Sequence, residues 1–341
     1  MDVGEVTARH AAVLAGLDPL LAAPGALVAD DDVRTLTVRV GGSVGVGQAR
    51  FSEAAPDAEA ALWGPLRSHR LMAHLAGPDR GAALAALLDE WEPVLGELAE
   101  PGDLDCGASM TVPSRDTDTA LPLLRKGFAP LTVIAARLRP TVPGTMVPGQ
   151  TGPGPTTPDP TSPGPTEPDS TGLDPDGSLG RVRVATAEDL DVMVELAVEL
   201  QHVDAAFGMV TERPASPSIL RAGIDAQLRR APDLTWVGLD DDGRVAGFAQ
   251  VQPPAENGWL AAAVAGPPPA YFGYLYVRPD RRGAGLGAAL VDAAHRAIDA
   301  DPTAAVTVLH HALPSPYSTP FWARHGYRPL WTAYQRRPAV R

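Results

Sequence analysis

The sequence predicts an α/β protein built on a mixed sheet, with the design present twice along the chain. Three observations carry this. Short runs that alternate apolar and polar residues recur between segments of helical spacing. A stretch of 40 residues without a lysine, an arginine or an aromatic side chain, 141–180, divides the 341 residues in two. Short motifs on one side of it return on the other.

The elements are clearest after the divide. RVRVA (181–185) has the two-residue alternation of a strand. Thr186 follows as a helix cap with Asp189 in capping-box position, and Leu190, Met193, Val194 and Ala197 form an apolar stripe. A second helix is predicted over 218–230. LTWVGL (234–239) and RVAGFAQVQ (244–252) flank Asp240-Asp241-Asp242-Gly243, which marks a hairpin. AYFGYLYV (270–277) is the next strand and 286–298 a helix. AAVTVLH (304–310) is again a strand, a short helix surrounds residues 321–324, and PLWTAYQRR (329–337) closes as a strand. The order β-α-α-β-β-β-α-β-α-β puts helices on a mixed sheet.

Composition bounds the function. With 45% hydrophobic and 20% charged residues the chain is globular in type. Residues 141–180 cannot bury enough apolar surface to offset their ordering entropy and are expected to form a disordered tether between domains at 1–140 and 181–341. The net charge is −13, with 19 acidic and 12 basic side chains in 1–140 but 17 and 16 in 181–341. Nucleic-acid binding calls for a basic face and is not expected. A pocket for a small polyanion is compatible with the near-neutral second part. No run approaches a membrane span, and the acidic start does not resemble a secretory leader. Cys106 is the sole cysteine, so a disulfide framework and a cysteine-based metal cluster are not expected, and a reduced, cytoplasmic setting is.

The chemistry concentrates in Tyr274-Leu-Tyr-Val-Arg-Pro-Asp-Arg-Arg-Gly-Ala-Gly-Leu-Gly-Ala288, between a strand and an amphipathic helix. Gly283, Gly285 and Gly287 let the main chain approach a ligand closely. Their N–H groups and the helix N-terminus form a site for a phosphate or pyrophosphate, and Arg281 and Arg282 add positive charge at its rim. No lysine and hydroxyl pair follows the last glycine, as a Walker loop requires. The G-x-G-x-G spacing also departs from the dinucleotide fingerprint.

Arg282-x-x-Gly285-x-Gly287 after a fourth strand, with Trp322-x-x-x-Gly326-Tyr327 later, resembles the GNAT acetyltransferase superfamily over the element order of 181–341. The resemblance implies a GNAT-like acyl-CoA-binding fold and an N-acetyltransferase that uses acetyl-CoA as co-substrate and a small-molecule amine as acceptor. It implies that the main chain of Leu275, Tyr276 and Val277 holds the pantetheine and the acetyl carbonyl. It also implies that Arg282, Gly283, Ala284, Gly285, Leu286, Gly287 and Ala288 hold the pyrophosphate, and that 304–310 splays away from the preceding strand. The family often has a tyrosine as general acid where this chain has Trp322, and an upstream asparagine where it has Ser315. Tyr317 is the candidate acid, with Ser315, His310 and His311 as alternatives, and Glu256 or His202 as candidate base or acceptor ligand. Adjacent His310 and His311 point to opposite faces of a strand, so they form no shared metal site. The alternative function is an acyl-CoA-binding regulator without turnover.

The first part looks like a degenerate copy. Gly127-Phe-Ala-Pro-Leu131 aligns with Gly326-Tyr-Arg-Pro-Leu330, and 78–89 resembles 279–292 in a form two residues shorter that keeps Gly81 alone. A loop so trimmed is not expected to wrap a pyrophosphate, which leaves 1–140 a structural or substrate-shaping role.

Overall fold

A computed structural model describes residues 1–28, 30, 32–140 and 181–341; the expected tether at 141–180 lies outside the described residues. In chain order the first part contains α1 (Val3–Leu17), β1 (Val33–Val40), β2 (Ser43–Glu53), β3 (Arg67–Ala76), α2 (Arg80–Leu98), β4 (Cys106–Pro113), α3 (Thr117–Arg125) and β5 (Ala129–Leu138). The second contains β6 (Val182–Val184), α4 (Leu190–Ala206), α5 (Ser216–Arg230), β7 (Thr235–Leu239), β8 (Val245–Gln252), β9 (Ala270–Val277), α6 (Leu286–Ala300), β10 (Val306–Ala312), α7 (Ser318–Arg324) and β11 (Arg328–Arg336). The order predicted for 181–341 is reproduced, with ends shifted by at most three residues. Local chemistry explains several of these elements. Thr186 and Asp189 form the expected capping box. Gly243 takes a positive φ of 75° and donates to the Asp240 carbonyl, closing the β7–β8 hairpin.

Eleven strands form one mixed sheet in the order β1-β2-β3-β4-β11-β5-β10-β9-β8-β7-β6. The halves of the chain and the halves of the sheet therefore differ. β5 lies antiparallel to β10, and β11 lies antiparallel to β4, so each half passes its last strand to the other. The two exchanged strands pair with each other at the centre. The exchange leaves both strands hydrogen-bonded on two sides and removes two sheet edges from solvent. The alike sequences at Gly127 and Gly326 precede the two exchanged strands. The local pattern thus predicts a strand correctly and gives no information on which edge it joins.

Helices cover both faces. Leu84, Leu87, Leu88 and Trp91 of α2 pack on Leu71 and Leu75 of β3, and Leu290, Val291 and Ala294 of α6 pack on Phe272 and Val277 of β9. On the opposite face of the second half, Met193 and Leu196 of α4 and Ile224 of α5 lie on Val237, Phe248 and Tyr276. The two long inter-strand loops are exchanged as well. Within residues 54–66, Leu62 is buried against Met193 and Leu196 of the second half. Within residues 253–269, Leu260 and Val264 are buried with Leu14 and Leu21 of the first.

Candidate functional site: a splayed strand pair beside an uncapped helix

β9 and β10 are parallel neighbours, yet they pair only at Ala270–Thr307, Tyr271–Val308 and Phe272–Leu309. Beyond this point β10 stays with β5 as far as Ala312, while β9 stays with β8 as far as Val277. The strands separate towards their C-terminal ends, as the sequence resemblance implied. A register shift between Gln250 and Val251 of β8 leaves Gly273 bulged at the start of the separation, which re-aims the rest of β9.

The ladder on β8 decides which peptide groups face the gap. Arg278 N–H donates to the Ala246 carbonyl, which makes Val277–Gly247 a pair without mutual hydrogen bonds. Alternation along an antiparallel pair then turns the peptide groups of Leu275 and Val277 towards β10 and those of Tyr276 towards β8. Of the three expected main-chain contacts, Leu275 and Val277 face the cleft and Tyr276 does not. The Tyr276 side chain is buried on the α4 side, where its hydroxyl meets Glu199.

The following loop places its glycines as the motif requires. Gly283 and Gly285 have φ of 86° and 85°, a region that favours glycine, and at neither would a Cβ meet any atom within 4 Å. Gly285 is the N-cap of α6 and no side chain caps this end; the first intrahelical bond is Ala289 N–H to the Gly285 carbonyl. The N–H groups of Leu286, Gly287 and Ala288 are thus the open positive end of the helix. Leu286 is held by its side chain, which fills the space over Gly238. The Ala284 carbonyl accepts from Arg181 at 2.8 Å and steadies the loop.

Arg282 departs from the expectation. Its Nε donates to the Val277 carbonyl at 2.9 Å, and its guanidinium sits over the rings of Tyr276, at 5.5 Å, and Tyr317, at 6.0 Å. The side chain is folded back along the strand end and is not extended at the rim. It ties β9, the glycine loop and Tyr317 together, because a flat cation finds a carbonyl and two π faces within reach.

Tyr317 precedes α7, is 68% exposed, and stands at this mouth. Trp322 is a core residue: its ring packs edge-on against Phe272, Phe321 and Tyr327. Ser315 is buried and accepts from Ser318 Oγ at 3.0 Å. His310 lies under the gap, with Nδ1 3.2 Å from the Tyr271 hydroxyl and its ring stacked on Trp259, and burial lowers its pKa to about 4. His311 sits on the other side of β10. Glu256 and His202 are not brought into the site. Glu256 accepts from Nε and Nη2 of Arg230, each at 2.8 Å, and His202 is exposed beside Glu212.

Two residues to which the sequence assigned no role lie on the α4 side of the sheet. Asp204 lies in the last turn of α4, in helical register with buried Met193, Ala197 and Gln201, so it continues the sheet-facing stripe. Burial raises its carboxyl to about 6. Tyr274 projects from β9 on the same face of the sheet, stacked on Phe248. Burial, and after it the Glu59 carboxylate from the first half of the chain, push its phenol up to about 12. An acid placed in an apolar helical stripe was the available signal for Asp204. Nothing local marks Glu59.

The first half repeats the geometry and closes it. β3 and β4 pair only from Arg67–Cys106 to Arg70–Ser109 and then separate. Three residues, 77–79, lead into α2, against eight, 278–285, into α6. The trim is deeper than the two residues read from the sequence. Asp79 caps α2 by accepting from Ala82 N–H at 2.8 Å. Arg80 is held by both oxygens of buried Asp116, at 2.7 and 2.9 Å, and by Asp118. In the separated part of β3, the Leu75 N–H donates to Nδ1 of His10 from α1. The Ala82 N–H at the helix end, the Arg80 guanidinium and the Leu75 N–H of the separated strand thus each have a partner from the protein.

The acetyltransferase (GNAT) family model matches residues 201–327. No curated protein sequence matches the chain. Among solved structures, a GCN5-related N-acetyltransferase from Sphaerobacter thermophilus is 16% identical, covering 88% of this chain and 82% of its own, with a TM-score of 0.46. A tandem GNAT protein from the clavulanic acid biosynthesis pathway is 16% identical over 98% and 96%, with a TM-score of 0.42. The PaiA N-acetyltransferase from Thermoplasma acidophilum in complex with coenzyme A is 15% identical over 46% and 97%, with a TM-score of 0.33.

Proposed function

The second half of the chain carries a GNAT-family domain, and from this premise we propose that the protein is an N-acetyltransferase that takes its acetyl group from acetyl-CoA and passes it to a small-molecule amine. One observation carries the reading: the uncapped N-terminus of α6, with Gly283 and Gly285 at positive φ, opens beside a strand pair that separates at the same end. A pyrophosphate fits the free N–H groups of 286–288, and an extended pantetheine arm fits the gap, bonded to the peptide groups of Leu275 and Val277.

Transfer is direct. The neutral amine nitrogen attacks the thioester carbonyl from the α4 side; the C–N bond forms, the carbonyl electrons return, and the C–S bond breaks. The Leu275 or Val277 N–H stabilises the developing oxyanion, a role in which fixed donors commonly contribute several kcal/mol. The departing thiolate takes a proton from the Tyr317 hydroxyl, and the proton lost by the amine passes to water or to Asp204. With Trp322 locked in the core, Tyr317 is the hydroxyl at the mouth.

Titration of acetyl-CoA into the purified protein, followed calorimetrically, tests the reading. Micromolar binding at one site per chain, with acetylation of an amine, is the expected result. Binding without transfer to any amine would leave a coenzyme A-binding regulator, and absence of binding would remove both readings. Tyr317→Phe should lower kcat about 10- to 100-fold with little change in acetyl-CoA affinity. An unchanged kcat would remove Tyr317 as the acid.

A further inference from the structure

The acceptor side of the gap is built from both halves of the chain. Residues 54–66 leave the first half between β2 and β3 and cross to the second. There the Leu62 side chain is buried on α4, and its carbonyl accepts from Thr211 N–H at 3.1 Å. Arg213 fastens the same segment, donating to the carbonyls of Ala61 at 2.9 Å and Gly64 at 3.3 Å, while its other bonds go to Asp105. This pins a loop of the first half against α4 and the segment that follows it. Gly208, in that segment, lies against Leu131, whose carbonyl accepts from Leu313 N–H just beyond β10. The segment that holds the crossing loop therefore reaches the open end of the separated strands, on the face opposite α6.

We propose, building on the acetyltransferase reading, that this crossing loop is the outer wall of the acceptor site. Glu59 at its rim and Asp204 inside receive the ammonium form of a small amine over the Tyr274 ring, and the favoured acceptors lack a carboxylate next to the amine. Four observations converge on it. Glu59 is exposed and lies three residues before Leu62, which is buried in the cluster that Tyr274 also joins, and its carboxylate raises the phenol of Tyr274. Asp204 continues the sheet-facing stripe of α4 and is held by no cation among the described residues. The arginines nearest the wall are committed elsewhere: Arg213 as above, Arg337 to Thr211 and Asp105, and Arg278 to Glu195 and Glu199. A substrate carboxylate would therefore meet two carboxylates, while these three guanidiniums are already paired. Finally, aromatic rings are available, with Tyr274 on the α4 face of β9 and half-exposed Trp63 in the crossing loop itself. A cation gains from such π faces, and the burial that raises the Asp204 carboxyl is relieved when an ammonium arrives.

The test uses the full-length protein and matched pairs that differ by one carboxylate: 2-phenylethylamine against phenylalanine, and putrescine against ornithine, each at saturating acetyl-CoA. The expected result is a kcat/KM at least tenfold higher for the amine of a pair than for its amino acid. Glu59→Lys should raise the amine KM about tenfold or more, and Glu59→Gln several-fold, with acetyl-CoA affinity by calorimetry unchanged. The side chain is exposed, so both variants should fold as the parent does. Equal use of amine and amino acid, absence of turnover of both amines in a protein that binds acetyl-CoA, or an unaltered KM in Glu59→Lys would each overturn the composite site. Loss of acetyl-CoA binding in the parent protein would instead strike the acetyltransferase reading.

Discussion

Residues 77–79 and residues 278–285 occupy equivalent places: each leads from the separated end of a strand into the long helix that packs behind it. The longer loop carries glycines at positive φ and delivers the helix end bare. The shorter one caps its helix with Asp79 and locks Arg80 between two aspartates. The difference teaches that a helix N-terminus becomes an anion site only when the protein leaves it unpaired. The dipole and the free N–H groups are general to helices, and availability is what the eight-residue loop adds. The first half appears twice in this economy, as a fold that has closed its own cleft and as the supplier of a wall for its neighbour's.

The sharpest way to break the comparison is Gly285→Val. A β-branched residue at φ 85° is strained by roughly 1–3 kcal/mol and obstructs the main-chain approach. Acetyl-CoA affinity should fall by about 100-fold or more, a change of roughly 2.7 kcal/mol. An affinity within a few-fold of the parent would show that the loop does not hold the ligand. Arg80→Ala asks the opposite of the first half. It strands the Asp116 carboxylate, 4% exposed, without its partner, and should destabilise the protein by about 2–4 kcal/mol in a denaturant titration. Acetyl-CoA affinity should be untouched below the transition, and a loss of affinity in the folded variant would mean that the first cleft takes part in binding.

The smallest effect is read through pH. The Asp204 carboxyl is raised to about 6 in the folded chain, from an ordinary value of 3.8. Between these values the folded state binds more protons than the unfolded one, so stability falls as pH rises, and above pH 6 the full penalty is present. Asp204→Asn should therefore gain on the order of 3 kcal/mol at pH 7.5 and nothing at pH 3.5. A gain that does not vary with pH would place Asp204 in solvent and weaken its part in the acceptor site.

Much of the second half was legible because its signals are local. The Thr186 and Asp189 box, the Asp240–Gly243 turn and the Gly283–Gly287 loop each need only a few neighbouring residues, and the structure has all three. Arg282 was legible in place but not in direction, since its fold-back depends on the Val277 carbonyl and on Tyr317, 35 residues further on. The Trp322 position read as a missing acid, and the structure gives it a packing role that explains the indole. Asp204 left a weak trace in the helical stripe, and Glu59 left none.

By itself the sequence determined the element order, the glycine loop and the trimming of its first copy, because hydrophobic period, caps and positive-φ glycines act over a few residues. Only the tertiary structure decided that β5 and β11 trade places, that His10 and Asp79 fill the first cleft, and that residues 54–66 wall the second. Two strands of like pattern fit either edge equally well in local terms. The choice is made by the packing of the two halves against each other, through contacts between residues more than a hundred positions apart.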